Sequence, residues 1–202
     1  MAKPNWLNLS PTTGSGNGTI SNSASAHTGR VARTGVVTVT GVGVSAPATY
    51  KVTQTAKAEF ASFDNGSEMS AQKDAGNVTV TGKTNSSKLT FKWAGDVSDV
   101  EIPATYQAQG VKTNNGEAVS GDPGANAEFE FSIELKFPKN DTIEEVTRTL
   151  MVTANGGQAV QIAIKQAAGD ARIAVEPKEI TIPQDGSSMS VNVQSNTSWT
   201  VS

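Results

Sequence analysis

Apolar and polar residues alternate with a period of two along most of this chain. The segments "RTGVVTVTG", "ATYKVTQ", "NVTVTGKT", "KLTFKW", "EFEFSIELKF", "RTLMVTA", "AVQIAIKQ", "ARIAVEP", "EITIP" and "SMSVNVQS" all show it. A period of two puts one set of side chains on one face of an extended strand, so each segment predicts a half-buried β-strand. Between them lie "TTGSGNG", "FDNGS", "KTNNG", "SGDPGAN", "PKND", "ANGG" and "PQDGS". Gly, Asn, Asp and Pro at these points supply the backbone angles that tight turns require. The nearest approach to a helix is "SEMSAQKDAG", which Gly76 cuts short. "SGDPGAN" predicts a β-turn with proline at its second position. Short strands closely spaced by turns predict an all-β fold of antiparallel sandwiches.

The strands repeat. "RTGVVTVTG…VTQTA", from Arg33 to Gln54, parallels "RTLMVTANGG…IKQAAG", from Arg148 to Gln166. "GNVTVTGKTNSS", from Gly76 to Ser87, parallels "GSSMSVNVQSNTS", from Gly186 to Ser198. Residues 57–168 therefore hold both halves of one sandwich in the usual order. Residues 1–56 and 172–202 hold the halves of a second sandwich, split around the first. Half a sandwich leaves apolar side chains and sheet edges facing water. The expected complementary set is Trp6, Leu7, Val37, Val39 and Val52 from the N-terminal half, with Ile180, Ile182, Met189, Val191, Val193 and Trp199 from the C-terminal half. Two ways of joining them are expected. Either the halves close within one chain through the six-residue "AAGDAR", which spans at most about 20 Å, or a neighbouring copy completes each half by strand donation.

The half-motifs resemble the BACON domain, an immunoglobulin-like β-sandwich common in gut Bacteroides and their phages. Asn196, Trp199, Trp6, Leu7, Pro11, Gly14, Gly16, Asn17, Arg33, Gly35, Val39, Val52 and Gln54 fall on that family's pattern, as do Asn85, Arg148 and Gln166 in the middle copy. Leu89 stands near the Trp199 position, and "EIPATYQAQG" replaces the family's Trp-Leu element. The resemblance implies two immunoglobulin-like sandwiches and the setting of a crAss-like phage particle.

Composition narrows the chemistry. The 202 residues include no Cys and one His, 17% are charged, and the net charge is −3. Disulfides, thiolate catalysis and Cys-ligated zinc are excluded, and nothing basic enough for nucleic acid or an anionic membrane is present. Neither a secretory signal nor a transmembrane run is read in the sequence, so the expected protein is made in a host cytoplasm. His27 reads as a solvated loop residue. Asp96, Asp99 and Glu101, Asp122, and Asp141, Glu144 and Glu145 lack the pattern of a calcium loop. Trp6 and Trp199 read as core, Arg33 and Arg148 as structural residues at strand starts, and Trp93 as a candidate glycan contact.

No catalytic, metal or cofactor set is expected. The expected function is that of a non-enzymatic virion structural protein, a capsid decoration or auxiliary protein, with the major capsid protein and further copies of itself as partners. The alternative is a carbohydrate- or mucin-binding adhesion module with host or mucin glycans as partners.

Overall fold

A computed structural model describes residues 3–202. The chain is all-β, and residues 57–168 form a β-sandwich. One of its sheets holds β5 (Ala61–Phe63), β7 (Gly76–Thr84), β9 (Thr105–Ala108), β10 (Val111–Asn114) and β11 (Phe129–Phe137), in the order β10-β9-β11-β7-β5. The facing sheet holds β6 (Glu68–Ala71), β8 (Leu89–Trp93), β12 (Val146–Ala154) and β13 (Ala159–Gln166), in the order β6-β13-β12-β8. All pairs are antiparallel except β6 with β13.

The period-two pattern explains the core. In β11 the residues Phe129, Phe131, Ile133, Leu135 and Phe137 face inward and are buried, while Glu130, Glu134 and Lys136 face water. In β12 and β13, Leu150, Val152, Ile162 and Ile164 close the other side. Phe131 packs edge-on against Phe63 and Phe91, with centroids 6.1 and 5.6 Å apart. Gly82 permits this approach, because a Cβ there would stand 2.1 Å from the Ser62 carbonyl oxygen and 2.5 Å from the Phe131 ring.

One local expectation changes and one holds. Glu68–Ala71, the nearest thing to a helix in the sequence, is β6, held beside β13 by backbone pairing and by a Lys165–Glu68 ion pair. "SGDPGAN" holds the expected turn with proline second: the Ala125 amide donates to the Asp122 carbonyl at 3.1 Å, within a short 3₁₀ turn over Pro123–Ala125.

Outside this sandwich the strands come in isolated pairs. β1 (Leu7–Ser10) pairs with β2 (Ser21–Ala24), β3 (Arg33–Val39) with β4 (Ala48–Gln54), and β14 (Ile173–Glu176) with β15 (Asn192–Ser195). Among the described residues no strand of the N-terminal half pairs with a strand of the C-terminal half. The reason is geometric. The N-terminal half joins the sandwich at the end of β7 and the start of β11. The C-terminal half joins it at the opposite ends of the same two strands. Each is nine residues long, so the two attachment points lie about 30 Å apart.

Candidate functional site

The attachments are built structures, and each is centred on one asparagine. At the first, Asn85 is fully buried. Its Oδ1 accepts from the Phe60 amide at 3.0 Å, and its Nδ2 donates to the carbonyls of Thr28, Lys57 and Ala58 at 3.1, 3.3 and 3.2 Å. The Lys57 amide donates to the Gly29 carbonyl at 2.9 Å. At the second, Asn196 Oδ1 accepts from the Arg172 amide at 2.9 Å, and Nδ2 donates to the carbonyls of Asp141 and Asp170 at 2.8 and 2.9 Å. The Gly169 amide donates to the Thr142 carbonyl at 2.7 Å.

The two sets correspond residue for residue: Thr28 with Asp141, Gly29 with Thr142, Lys57 with Gly169, Ala58 with Asp170, Phe60 with Arg172. The hydroxyl one position before each asparagine repeats as well. Thr84 Oγ1 donates to the Phe60 carbonyl and accepts from the Ser86 amide. Ser195 Oγ donates to the Arg172 carbonyl and accepts from the Thr197 amide. Strand register follows: Ala61 faces Thr84 as Ile173 faces Ser195. Each asparagine ties the opening of one unit to the loop that precedes the last hairpin of the unit before it. Bonding both amide ends to backbone satisfies groups that would otherwise be costly to bury.

His27 belongs to this device. It is half-buried, and its Nε2 lies 2.8 Å from the Val31 carbonyl oxygen. Asn140 Nδ2 bonds the Glu144 carbonyl at the same four-residue spacing and 2.8 Å. The expected solvated loop histidine is thus a turn-closing residue next to the first junction.

Charge reinforces the first junction. Arg30 forms an ion pair with Asp122 and lies 3.8 Å from Glu59, and Lys57 lies 3.5 Å from Glu128. The amides of Arg30 and Val31 donate to the carbonyls of Gly124 and Ala125, both at 3.0 Å. Gly29 is needed here, because a Cβ would come within 2.4 Å of the Asn126 backbone. At the second junction Lys73 bonds Asp170, which raises the lysine pKa and lowers that of the aspartate. Arg172 lies 3.3 Å from Asp141.

Arg33 and Arg148 also correspond. Arg148 is buried; it pairs with Asp99, donates to Gln166 Oε1 at 3.0 Å and lies over the Phe137 ring. Gln166 Nε2 in turn donates to the Pro138 carbonyl at 2.7 Å. Arg33 donates to Gln54 Oε1 at 2.9 Å, Gln54 donates to the Ser25 carbonyl at 2.8 Å, and Arg33 stacks on Trp6 at 4.8 Å. In the N-terminal half an aromatic ring stands in for the charge of Asp99.

The sequence-predicted contact residues divide. Leu7 and Val37 are buried, and Trp6 and Val52 are half-buried. Val39, Ile180, Ile182, Met189, Val191 and Trp199 are exposed, and Val193 is half-buried. The structure does not bring the two sets together. Trp93 is half-buried against the core, with its Nε1–H donated to the Val100 carbonyl at 2.7 Å. Asp99 is engaged by Arg148, and among the described residues no three His or acidic side chains gather as metal ligands. Among those residues no helix is long and apolar enough to cross a membrane. The repeat marks Asn85 and Asn196 in the sequence, but their bonds to the neighbouring unit have no local signature. Arg30, Glu59 and Asp122 carried no signal, because their meeting depends on a loop fold.

A scan against protein-family models finds no match, and neither does a search of curated proteins.

Proposed function

We propose that this chain is a non-enzymatic structural protein, a decoration or auxiliary component of a phage particle, in which immunoglobulin-like units are stacked at fixed angles. The observation that supports this most is the repetition of one junction at both ends of the middle sandwich. Asn85 and Asn196 make corresponding bonds to their neighbours. Two junctions of the same construction repeat the same rotation and translation, as in a solenoid or tandem rod. A rod of fixed pitch suits a spacer or surface projection. The particle setting rests on the resemblance of the half-motifs.

Mass spectrometry of purified virions tests the reading. The chain is expected among the particle proteins in stoichiometric amount, and its absence from intact particles would remove the proposal.

A further inference from the structure

The middle sandwich shows what each terminal half lacks. β11 is flanked by β7 as well as β9, but the corresponding β2 has only β1. β12 is flanked by β8 and β13 by β6, but β3 and β4 have only each other. The missing neighbours correspond to the C-terminal segment: residues 187–195 to β7, 199–201 to the start of β8, and 180–182 to β6. An open groove of about 540 Å³ lies in the N-terminal half between Leu9, Ile20, Val37 and Val39.

We infer that the C-terminal segment of one copy enters the N-terminal half of a second copy, completing a sandwich between chains and linking copies head to tail.

The repeat fixes the register. Gln54 bonds the Ser25 carbonyl as Gln166 bonds that of Pro138, so Ile20 occupies the place of Ile133. Ile133 is opposite Val80, whose counterpart counted back from the asparagine is Val191. Val37 and Val39 occupy the places of Val152 and Ala154, which face Phe91 and Leu89. Three residues separate Asn85 from Leu89 and two separate Asn196 from Trp199, so with the apolar positions aligned across that one-residue shortening the counterparts of those two are Val201 and Trp199. Val52 occupies the place of Ile164, beside Met69 in the parallel pair, and the counterpart of Met69 is Ile180. Seven of these eight, Ile20, Val39, Ile180, Val191, Trp199 and Val201 at the surface and Val52 half-buried, are open to some extent in the single chain. Trp199 is 50% and Val201 84% exposed.

A copy's own C-terminal half does not reach its own groove, because the two lie at opposite poles of the middle sandwich. The same donor and acceptor on every copy make a heterologous contact, which propagates as an open chain. This inference takes up the strand complementation of the structural reading but concerns the purified chain alone, so particle composition does not decide it.

Mass photometry and sedimentation of the full chain across micromolar to millimolar concentration are expected to show a ladder of multiples of 20.9 kDa. Because the chain has no cysteine, single-cysteine variants report the register. Val39→Cys mixed with Trp199→Cys is expected to oxidise to a covalent dimer. Val39→Cys mixed with Met189→Cys is expected to yield at least tenfold less. Val39→Asp and Trp199→Asp are expected to abolish the ladder while circular dichroism shows the middle sandwich intact. A monomer at every concentration overturns the inference and leaves these faces to a different chain. So does a disulfide within single chains of the double variant Val39→Cys/Trp199→Cys, or a ladder that persists in the Asp variants.

Discussion

β7 and residues 187–195 carry the same motif and end before the same kind of asparagine, yet β7 is a strand of nine residues and β15 one of only four. The difference lies in their neighbours. Thr84 and Gly82 pair with β5, and the matching Ser195 and Val193 pair with β14. Strand structure is present in both where that neighbour is present. Gly76 to Val80 pair only with β11, and the residues matching them have no β11 beside them. Strand propensity without a partner does not hold a strand, since an isolated edge leaves its backbone groups to water. The two regions have related sequences and differ in tertiary context.

The largest expected effect tests that contrast in the core. Ile133→Ala removes a side chain with no exposure and is expected to cost about 2–5 kcal/mol. Ile20→Ala, at the corresponding place in the N-terminal half, is expected to cost under about 0.5 kcal/mol in dilute protein. Urea unfolding of both variants at low concentration is the measurement. Equal losses in dilute monomer would mean that the N-terminal half is already closed.

The two arginines come next. Arg148→Ala strips the buried Gln166 of a donor and Asp99 of its ion pair, with an expected loss of about 2–3 kcal/mol. The figure is at the low end for an ion pair because Asp99 is half-exposed. Arg33→Ala removes one side-chain bond and a stacking contact at the surface, for about 1 kcal/mol or less. A thermal shift several degrees larger for Arg148→Ala is expected, and a reversed order would undo the equivalence of core and half-core.

The junctions give a smaller contrast. Asn85→Ala leaves the Phe60 amide and the carbonyls of Thr28 and Ala58 unpaired in a buried place, for about 1–3 kcal/mol. Asn196→Ala exposes similar groups to water and is expected to cost about 1 kcal/mol or less. Hydrogen exchange at the Phe60 and Arg172 amides reads each junction separately. Faster exchange at both, with the core amides of β11 unchanged, is expected if each asparagine ties one unit to the next.

How much of this was legible in the sequence depends on the range of the interaction. Strand positions followed from alternation in segments such as "EFEFSIELKF", because burial on one face is a local pattern. β6 was harder to read. "SEMSAQ" has weak alternation, and its strand is imposed by parallel pairing with β13. The recurrence of Arg33 and Gln54 as Arg148 and Gln166 was visible as a repeat, but the hydrogen bond within each pair was not. The partners of Arg30 were not visible, since Asp122 reaches it only through the turn at Pro123–Ala125 and a left-handed backbone at φ 44°. The exposed state of Trp199 had no sequence signal either, because alternation marks which face is apolar without saying whether anything covers it.

The smallest effect is the acid response of the two arginine sites. The hydrogen bond from Arg148, with its positive charge, holds the Asp99 carboxyl below its ordinary pKa against a weaker opposing desolvation. A carboxylate with a lowered folded pKa stabilises the fold above its unfolded value, near ~3.9. That stabilisation is lost as pH falls through the lower folded value. Because Asp99 is half-exposed, solvent screening keeps the effect under about 1 kcal/mol. The stability gap between the native chain and Asp99→Asn is therefore expected to be constant from pH 7 to about 5 and to narrow below about 4. Arg33 faces the uncharged Gln54 and Trp6, so the gap between the native chain and Arg33→Gln is expected to stay level over the same range. Urea midpoints taken across pH 2–7 compare the two, and a gap for Asp99→Asn that does not narrow in acid would remove the ion pair from the account of the middle sandwich.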